Sequence, residues 1–572
     1  MRMQTIVALA AVALLPSALA TATAGNQQAS VEQTAQGTRN PAVLVESFDG
    51  MGVGFEGPQG KYEGRNPSDN GLAVGPDHIV QTVNSRLSVF TKKGQRYDTT
   101  GRALYGPVNT NTVFAGLNGP CASRNNGDAV VRYDQLAGRW LVTMPIFSRI
   151  PLSEVGERPP LAQAAPPGQL AMPGQASAPG PAAKPPSNPP PPPPPVQGRG
   201  QRGQAPATGQ PAPPPPPSTY AMCYAISVGP DPLGAYYRYS FERPLFPDYP
   251  RPAVWIDGYY NPTSSSDNRI SDTVATQKHA CVVDRAKMLK GQPASEQCLV
   301  VLNVGFLNNA DIDGMLPPPD GAPNVMIAAG GTQLDKVLEA DAIDVWQFHV
   351  DWKDPSKTKL LGPEKIAVAP YHYLCDGQLT NCVPQPGTDR GLDAQGDKIM
   401  SRVVYRRVVD RGSPARESLV AVHSVNTAAG GGGVRWYEFR IDKARKVSLH
   451  QQGTYAPDKF FRWMASPAID RFGGIAIGYS FGGAPNFPGQ RLAGRSHDDP
   501  PGVLTMRETV LVEGEASQTG TLRWEDYTTT AMDPSDDCTI WYVGDYLKKD
   551  AASYSTKIGA FRMPQCGPAN RR

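Results

Sequence analysis

The chain has 572 residues, with 55 Lys+Arg against 52 Asp+Glu, and a formal charge of +3 over that length leaves no electrostatic footprint for nucleic acid. Gly (58) and Pro (59) together exceed a fifth of the residues, which excludes a helical bundle or coiled coil because both interrupt helix interiors. What remains is a turn-rich, mostly β protein, long enough for several domains or for one large repeat array.

Residues 1–24 read as a secretory signal. Arg2 is the positive n-region, Ile6 to Leu15 form a short apolar core, and Ala18-Leu19-Ala20 and Ala22-Thr23-Ala24 are small-x-small cleavage sites. No later stretch approaches the roughly 18 apolar residues of a membrane span, so a secreted or periplasmic location is expected. Residues 25–39 are expected to be a flexible N-terminus, and 40–50 a strand that closes the array beside its last repeat.

From there a short apolar run, a tight turn and a second β-rich run recur. Leu72-Ala73-Val74 turns through Gly75-Pro76-Asp77 into Ile79-Val80. Val130-Val131 turns through Gly138 into Trp140-Leu141-Val142. Ala253-Val254 leads into Tyr259-Tyr260, Pro467-Ala468-Ile469 into Ile475-Ala476-Ile477, and Thr530-Ala531-Met532 into Thr539-Ile540-Trp541, with weaker copies from Val325 and Ile399. Each is a hairpin signal, β-formers around turn residues. The spacing, about 54 to 74 residues once one insertion is discounted, suits four-stranded blades. The expected fold is therefore all-β, a β-propeller of seven four-stranded blades over 40–150 and 219–566, with 567–572 as a C-terminal tail.

The insertion is 151–218, which holds 24 of the 59 prolines and almost no apolar residue larger than Ala. It cannot bury enough apolar surface to offset its ordering entropy, so it is expected to be disordered. Eight cysteines in an exported chain suggest disulfides. Proximity favours Cys375 with Cys382, Cys281 with Cys298, Cys538 with Cys566, and Cys121 with Cys223, among many formal pairings.

The stretches Asp69-Asn70-Gly71-Leu72-Ala73-Val74-Gly75-Pro76, Leu392-Asp393-Ala394-Gln395-Gly396-Asp397, Arg523-Trp524-Glu525-Asp526-Tyr527 and Asp533-Pro534-Ser535-Asp536-Asp537-Cys538 carry a resemblance to a group of secreted bacterial β-propeller proteins. The resemblance implies export and a propeller and implies no activity. It is distantly similar to sialidase-type propellers, without their S-x-D-x-G-x-T-W turn motif, and WD and kelch signatures are absent.

Polar residues stand just ahead of several inner strands: Asp69 with Asn70, Asp128, Asp393 with Asp397, Arg462 with Trp463, and Arg523 with Trp524 and Asp526. Loops leading into inner strands gather on one face of a propeller, so these residues are expected to converge there. With Arg402 they would suit a glycan or an extracellular protein, Arg forks taking acidic groups and Trp faces stacking. The competing expectation is that the same residues lock neighbouring blades together. A glycan-processing enzyme, hydrolase or lyase, is the alternative, with Asp69, Asp397 and Asp526 as its carboxylates.

Asn309, Asp311 and Asp313, with Gly314 next and Asp320 twelfth, match the ligand spacing of an EF-hand loop and make calcium the candidate ion, although Pro317-Pro318-Pro319 excludes the usual exiting helix. Gly430 to Gly433 lacks the Lys-Ser/Thr of a phosphate loop, the seven histidines form no metal-ligand spacing, and no G-x-S-x-G elbow occurs. His423 reads as a core histidine.

Overall fold

The structure, a computed structural model, describes residues 31–151, 165–169, 218–243, 246–264, 277–302, 304–330, 341–409 and 414–566. The signal, most of the Pro-rich segment and the C-terminal tail lie outside these residues. The described chain is all-β, with helix confined to single turns such as Pro120–Ser123 and Arg285–Met288.

Among the described residues, antiparallel strand groups labelled sheets I to VII follow one another, IV and V being joined into one larger sheet, beside a two-stranded hairpin of Glu56–Gly57 and Gly60–Lys61. Sheet I is Gly71–Val74, His78–Val83, Arg86–Thr91 and Ala103–Asn109. Sheet II runs Val130–Asp134, Arg139–Pro151, Ser218–Ser227 and Ala235–Arg243. Sheet III runs Ala253–Val254, Gly258–Tyr260, Gln277–Asp284 and Glu296–Leu302, with Thr263–Ser264 also paired to its third strand. Sheet IV runs Asn308–Ile312, Asn324–Ala329, Ala342–His349 and Lys359–Ala367. Sheet V runs Val403–Val408, Arg416–Asn426, Gly432–Ile441 and Val447–Tyr455, and its first strand pairs in parallel with that of sheet IV. Sheet VI runs Phe461–Ile469, Ile475–Gly483, Asn486–Arg495 and Thr509–Val512. Sheet VII runs Thr529–Met532, Thr539–Tyr546 and Ser555–Arg562, and Val43–Gly52 from the far end of the chain is its fourth strand.

The inner strands of each sheet bury both faces, and their sequences say why. In Ser218–Ser227, Ala221, Cys223 and Ala225 pack toward sheet I, while Met222, Tyr224 and Ile226 join Val254, Tyr259 and Val283 of sheet III. Side chains alternate with period two, so small residues face one neighbour and large ones the other. The same holds across the end of the series: Leu72, Val74 and Ile79 of sheet I pack on Trp541, Val543 and Ile558 of sheet VII. Full burial of such side chains contributes about 1.5–3 kcal/mol each.

First strands touch in turn from sheet I to sheet VII, and Thr529–Met532 touches Gly71–Val74 again. Where they meet, an ion network fills the space. Arg402 Nε lies 2.7 Å from Asp311 Oδ2 and its Nη2 2.6 Å from Asp313 Oδ1, while Arg132 Nε approaches Asp311 at 3.2 Å. These four side chains are buried and leave a void of only about 20 Å³.

Three expectations change. The fourth repeat begins one strand earlier than Val325, at Asn308–Ile312, whose Asp311 belongs to that ion network. Glu32–Gln33, assigned to a flexible N-terminus, pairs in parallel with Thr454 and Tyr455. Within the Pro-rich segment, Ala165–Gln169 adds a fifth strand to sheet II. Its register on Ala235–Arg243 shifts between Ala165 and Gly168, across two prolines that lack an N–H to donate, as an outer strand allows. All eight cysteines pair as proximity suggested, 121–223, 281–298, 375–382 and 538–566.

Candidate functional site

The segments leading into the first strands repeat one backbone device. Asp69, Asp128, Tyr249, Gln395 and Asp526 have φ of 49°, 51°, 53°, 46° and 62°. The left-handed region costs a non-glycine residue about 1–3 kcal/mol and clusters at functional sites. Here it turns the chain just before each strand. The device brings Asp69, Asp128, Asp248, Asp397 and Asp526 into one cavity of about 390 Å³, together with Arg523 and Lys398. Phe147, Phe246, Tyr249 and Phe306 supply apolar wall.

Asp69 and Asp128 line the same wall of the cavity. Burial drives the carboxyl of each well above the usual range. The next contributors are the Asp128 and Asp526 charges at Asp69, and the Asp248 and Asp526 charges at Asp128. Asn84 Nδ2 donates to Asp69 Oδ2 at 2.6 Å. Gly127, with φ of 116°, lets the chain approach: a Cβ there would stand 3.2 Å from Asn84 Oδ1. Asp248 is also raised, by burial and then by Asp526.

Two carboxylates are neutralised in place. Arg523 Nε donates to Asp526 Oδ1 at 3.0 Å, its Nη2 bonds the other oxygen, and Gln395 Nε2 donates to Oδ1 at 3.1 Å. Lys398 Nζ lies 2.6 Å from Asp397 Oδ1 and 4.5 Å from the centre of the Phe306 ring. The Tyr249 hydroxyl donates to the Asp526 carbonyl at 2.8 Å, and Arg251 stacks on the Tyr249 ring at 3.7 Å. The neighbouring Tyr527 is 2 % exposed, and its hydroxyl has no hydrogen-bond partner among the described residues.

The Pro-rich segment leaves from this rim. Phe147 stacks on Phe246 with ring centres 4.9 Å apart, and its N–H donates to Asn126 Oδ1. The strand carrying Phe147 ends where Pro151 pairs with Ser218, so the chain between them departs four residues beyond a lining side chain.

Of the residues singled out in the sequence, Asp69, Asp128, Asp397, Arg523 and Asp526 converge. Others do not. Arg462 is fully buried, with Nη1 and Nη2 each 2.9 Å from an Asp458 oxygen and Nε 2.7 Å from Glu508. Trp463 and Trp524 are buried in the core, ring centres 6.3 Å apart, with Trp524 Nε1 donating to Ser480 Oγ, so neither presents a face for stacking. Asn70 binds Asp545 Oδ1 at 2.7 Å and ties sheet I to sheet VII. Arg402 belongs to the central ion network.

The calcium-loop expectation gives way for the same reason. Asn309 and Asp311 lie in a β-strand, Asp311 and Asp313 are held by Arg402, and Asp320 is exposed on a turn. Among the described residues, two groups could bring three ligand atoms together, Cys281–Glu296–Cys298 and Asp470–Cys538–Cys566. Their sulfurs are in disulfides and offer no thiolate.

Asp248, Tyr249, Gln395 and Lys398, with the phenylalanines, escaped the sequence reading. Asp248 carried a usable signal, an aspartate shortly before the Ala253–Val254 strand, as Asp69 and Asp128 precede theirs. Comparison with protein-family models and with curated proteins finds no match. No helix among the described residues is long and apolar enough to cross a membrane.

Proposed function

We propose that the protein is an exported seven-bladed β-propeller that binds a glycan at the acidic cavity on one face of its ring. The return of first-strand contacts from sheet VII to sheet I, and the borrowed outer strand Val43–Gly52, support the propeller. The binding reading is carried by one observation: five aspartates, an arginine and a lysine, drawn from five separate lead-in segments, share a cavity with four aromatic rings. Carboxylates and amides accept from and donate to hydroxyls, and rings cover the apolar face of a sugar. A concave, polar cavity favours a small polar ligand over a flat protein surface.

Arg523, about a third exposed, is the test residue. A glycan-array screen of wild type and Arg523→Ala, with melting curves alongside, is expected to show binding that weakens roughly 10- to 150-fold in the variant, the worth of a charge-assisted hydrogen bond. No binding by wild type, or equal binding by a folded Arg523→Ala, refutes the site. A second reading, a glycan hydrolase, draws on two cavity carboxyls, Asp69 and Asp128, that burial raises toward the protonated form a general acid needs. It requires release of reducing ends from a bound glycan.

A further inference from the structure

We infer that the outer edge of sheet III is a docking site for an extended segment of a partner protein, one that brings aliphatic side chains at alternate positions and a carboxylate at one end. None of the residues involved lines the acidic cavity, and the inference stands apart from the glycan reading.

An outer strand leaves a row of N–H and C=O groups unpaired on one side, and folded chains blunt such edges. This chain does so repeatedly. Ala165–Gln169 covers the edge of sheet II, and Glu32–Gln33 covers that of sheet V. The hairpin of Glu56–Gly57 and Gly60–Lys61 lies against sheet I, where the Gln59 N–H donates to the Gly106 carbonyl at 3.3 Å. The outer strand of sheet IV carries Lys359, Pro363, Glu364 and Lys365. Register shifts interrupt the pairing of the outer strands of sheets VI and VII. Glu296–Leu302 has none of these devices. All 7 residues pair in unbroken register with Gln277–Val283, and among the described residues no other strand pairs with them. From Gln297 to Leu302 there is no charge and no proline, and Val300 and Leu302 are each 54 % exposed.

Beside this edge a groove of about 630 Å³ opens between sheets III and IV, lined by Leu299 and Val301 from the first and by Trp346, Leu360 and Pro363 from the second. Gln297 marks one end: its Oε1 accepts from Thr358 Oγ1, which brings the adjoining Lys359 to that end. Lys359 is exposed and has no ion pair among the described residues. The other charges lining the groove, Lys365 and Asp344, pair with each other at 3.2 Å. Glu296 is taken by Arg243 at 2.6 Å, and Glu364 does not line the groove. One ammonium is therefore left over, at the Gln297 end. An added strand would meet the unpaired N–H and C=O groups with its own main chain, set aliphatic side chains beside Val300 and Leu302, and bring its carboxylate to Lys359. A second copy pairing through the same strand has no carboxylate to give, because its Glu296 is already held.

Panning a phage library of random dodecapeptides on the full chain tests this. Recovered peptides are expected to share alternating Val, Ile or Leu with Asp or Glu at one end. The best of them, synthesised and followed by fluorescence anisotropy, should bind Val300→Lys and Lys359→Glu at least about 10-fold more weakly than wild type. Both positions are exposed, melting curves check that the variants fold, and Leu302→Lys serves should Val300→Lys fail to. Replacing the acidic residue of the peptide by Lys should restore binding to Lys359→Glu. Methylating one set of its alternate backbone amides should abolish binding and methylating the other set should spare it, because an added strand turns only every second amide toward its neighbour. No enrichment, equal binding by the folded variants, or indifference to both sets of methylation overturns the inference. So does a dimer, seen by light scattering, that Val300→Lys dissolves, since a second copy would then be the occupant.

Discussion

Replacing Asp393 by Asn tests the electrostatics of the region around the cavity. Asp393 is fully buried, its Oδ2 has no hydrogen-bond partner, and Oδ1 takes only a long 3.4 Å contact from the Gln395 N–H. Burial first, and then the Asp526 charge against the relief from Lys398, push its carboxyl from the ordinary 3.8 up to about 7. A raised carboxyl favours the folded state at low pH, and that contribution is lost as pH rises from the unfolded value through the folded one. At roughly 1.4 kcal/mol per pH unit, the whole span corresponds to about 4 kcal/mol, of which about 2 kcal/mol falls between pH 5 and pH 7. Asparagine has the shape of the protonated acid and never ionises. Guanidinium unfolding of both proteins, disulfides intact, at about pH 5 and pH 8 should therefore show the variant gaining on wild type by about 2–3 kcal/mol at the higher pH. A difference that stays constant across that range would refute the argument.

Arg462→Ala should lower stability by about 3 kcal/mol, at the low end for a broken buried pair because Arg491 still neutralises Glu508 at 3.0 Å. Glycan affinity per folded molecule should not change, and calorimetry on the folded fraction checks this. Replacing 170–217 by a short Gly/Ser linker should move the melting temperature by no more than about 2 °C, whereas removing Ala165–Gln169 as well uncovers the edge of Ala235–Arg243 and should cost more.

The sheets were legible wherever both faces of a strand are apolar, as in Leu419-Val420-Ala421-Val422 or Ile475-Ala476-Ile477, because alternation and burial then agree. Asn308–Ile312 was not, since its asparagines donate to distant backbone carbonyls and its Asp311 serves an ion network whose partner Arg402 is 91 residues away. Two Arg-Trp pairs looked alike in the sequence. Arg462 falls inside a strand that starts at Phe461 and meets Asp458 and Glu508, whereas Arg523 lies ahead of a strand that starts at Thr529 and reaches the cavity. Where a strand begins decides which way its arginine points, and propensity locates that boundary poorly. Both acids of the central pair were visible singly. Their arrival in one cavity, across 59 residues of sequence, depends on two left-handed turns that no local pattern announces. His423 behaved as a core residue, fully buried with Nε2 2.9 Å from the Tyr437 hydroxyl.

The borrowed strand of sheet VII sets an order of events during synthesis. Val43–Gly52 is made early, but its partner Ser555–Arg562 follows some 500 residues later. Until Ser555–Arg562 has been made, that early strand has no edge to dock on, and Val43 and Val45, well exposed even in the finished fold, have nothing to cover them. Sheets I to VI can form as they emerge, yet the final seam waits for Ser555–Arg562. A truncation that removes only Ser555–Arg562 thus leaves two unpaired edges at opposite ends of the polypeptide, and neighbouring molecules offer each edge the strand it lacks.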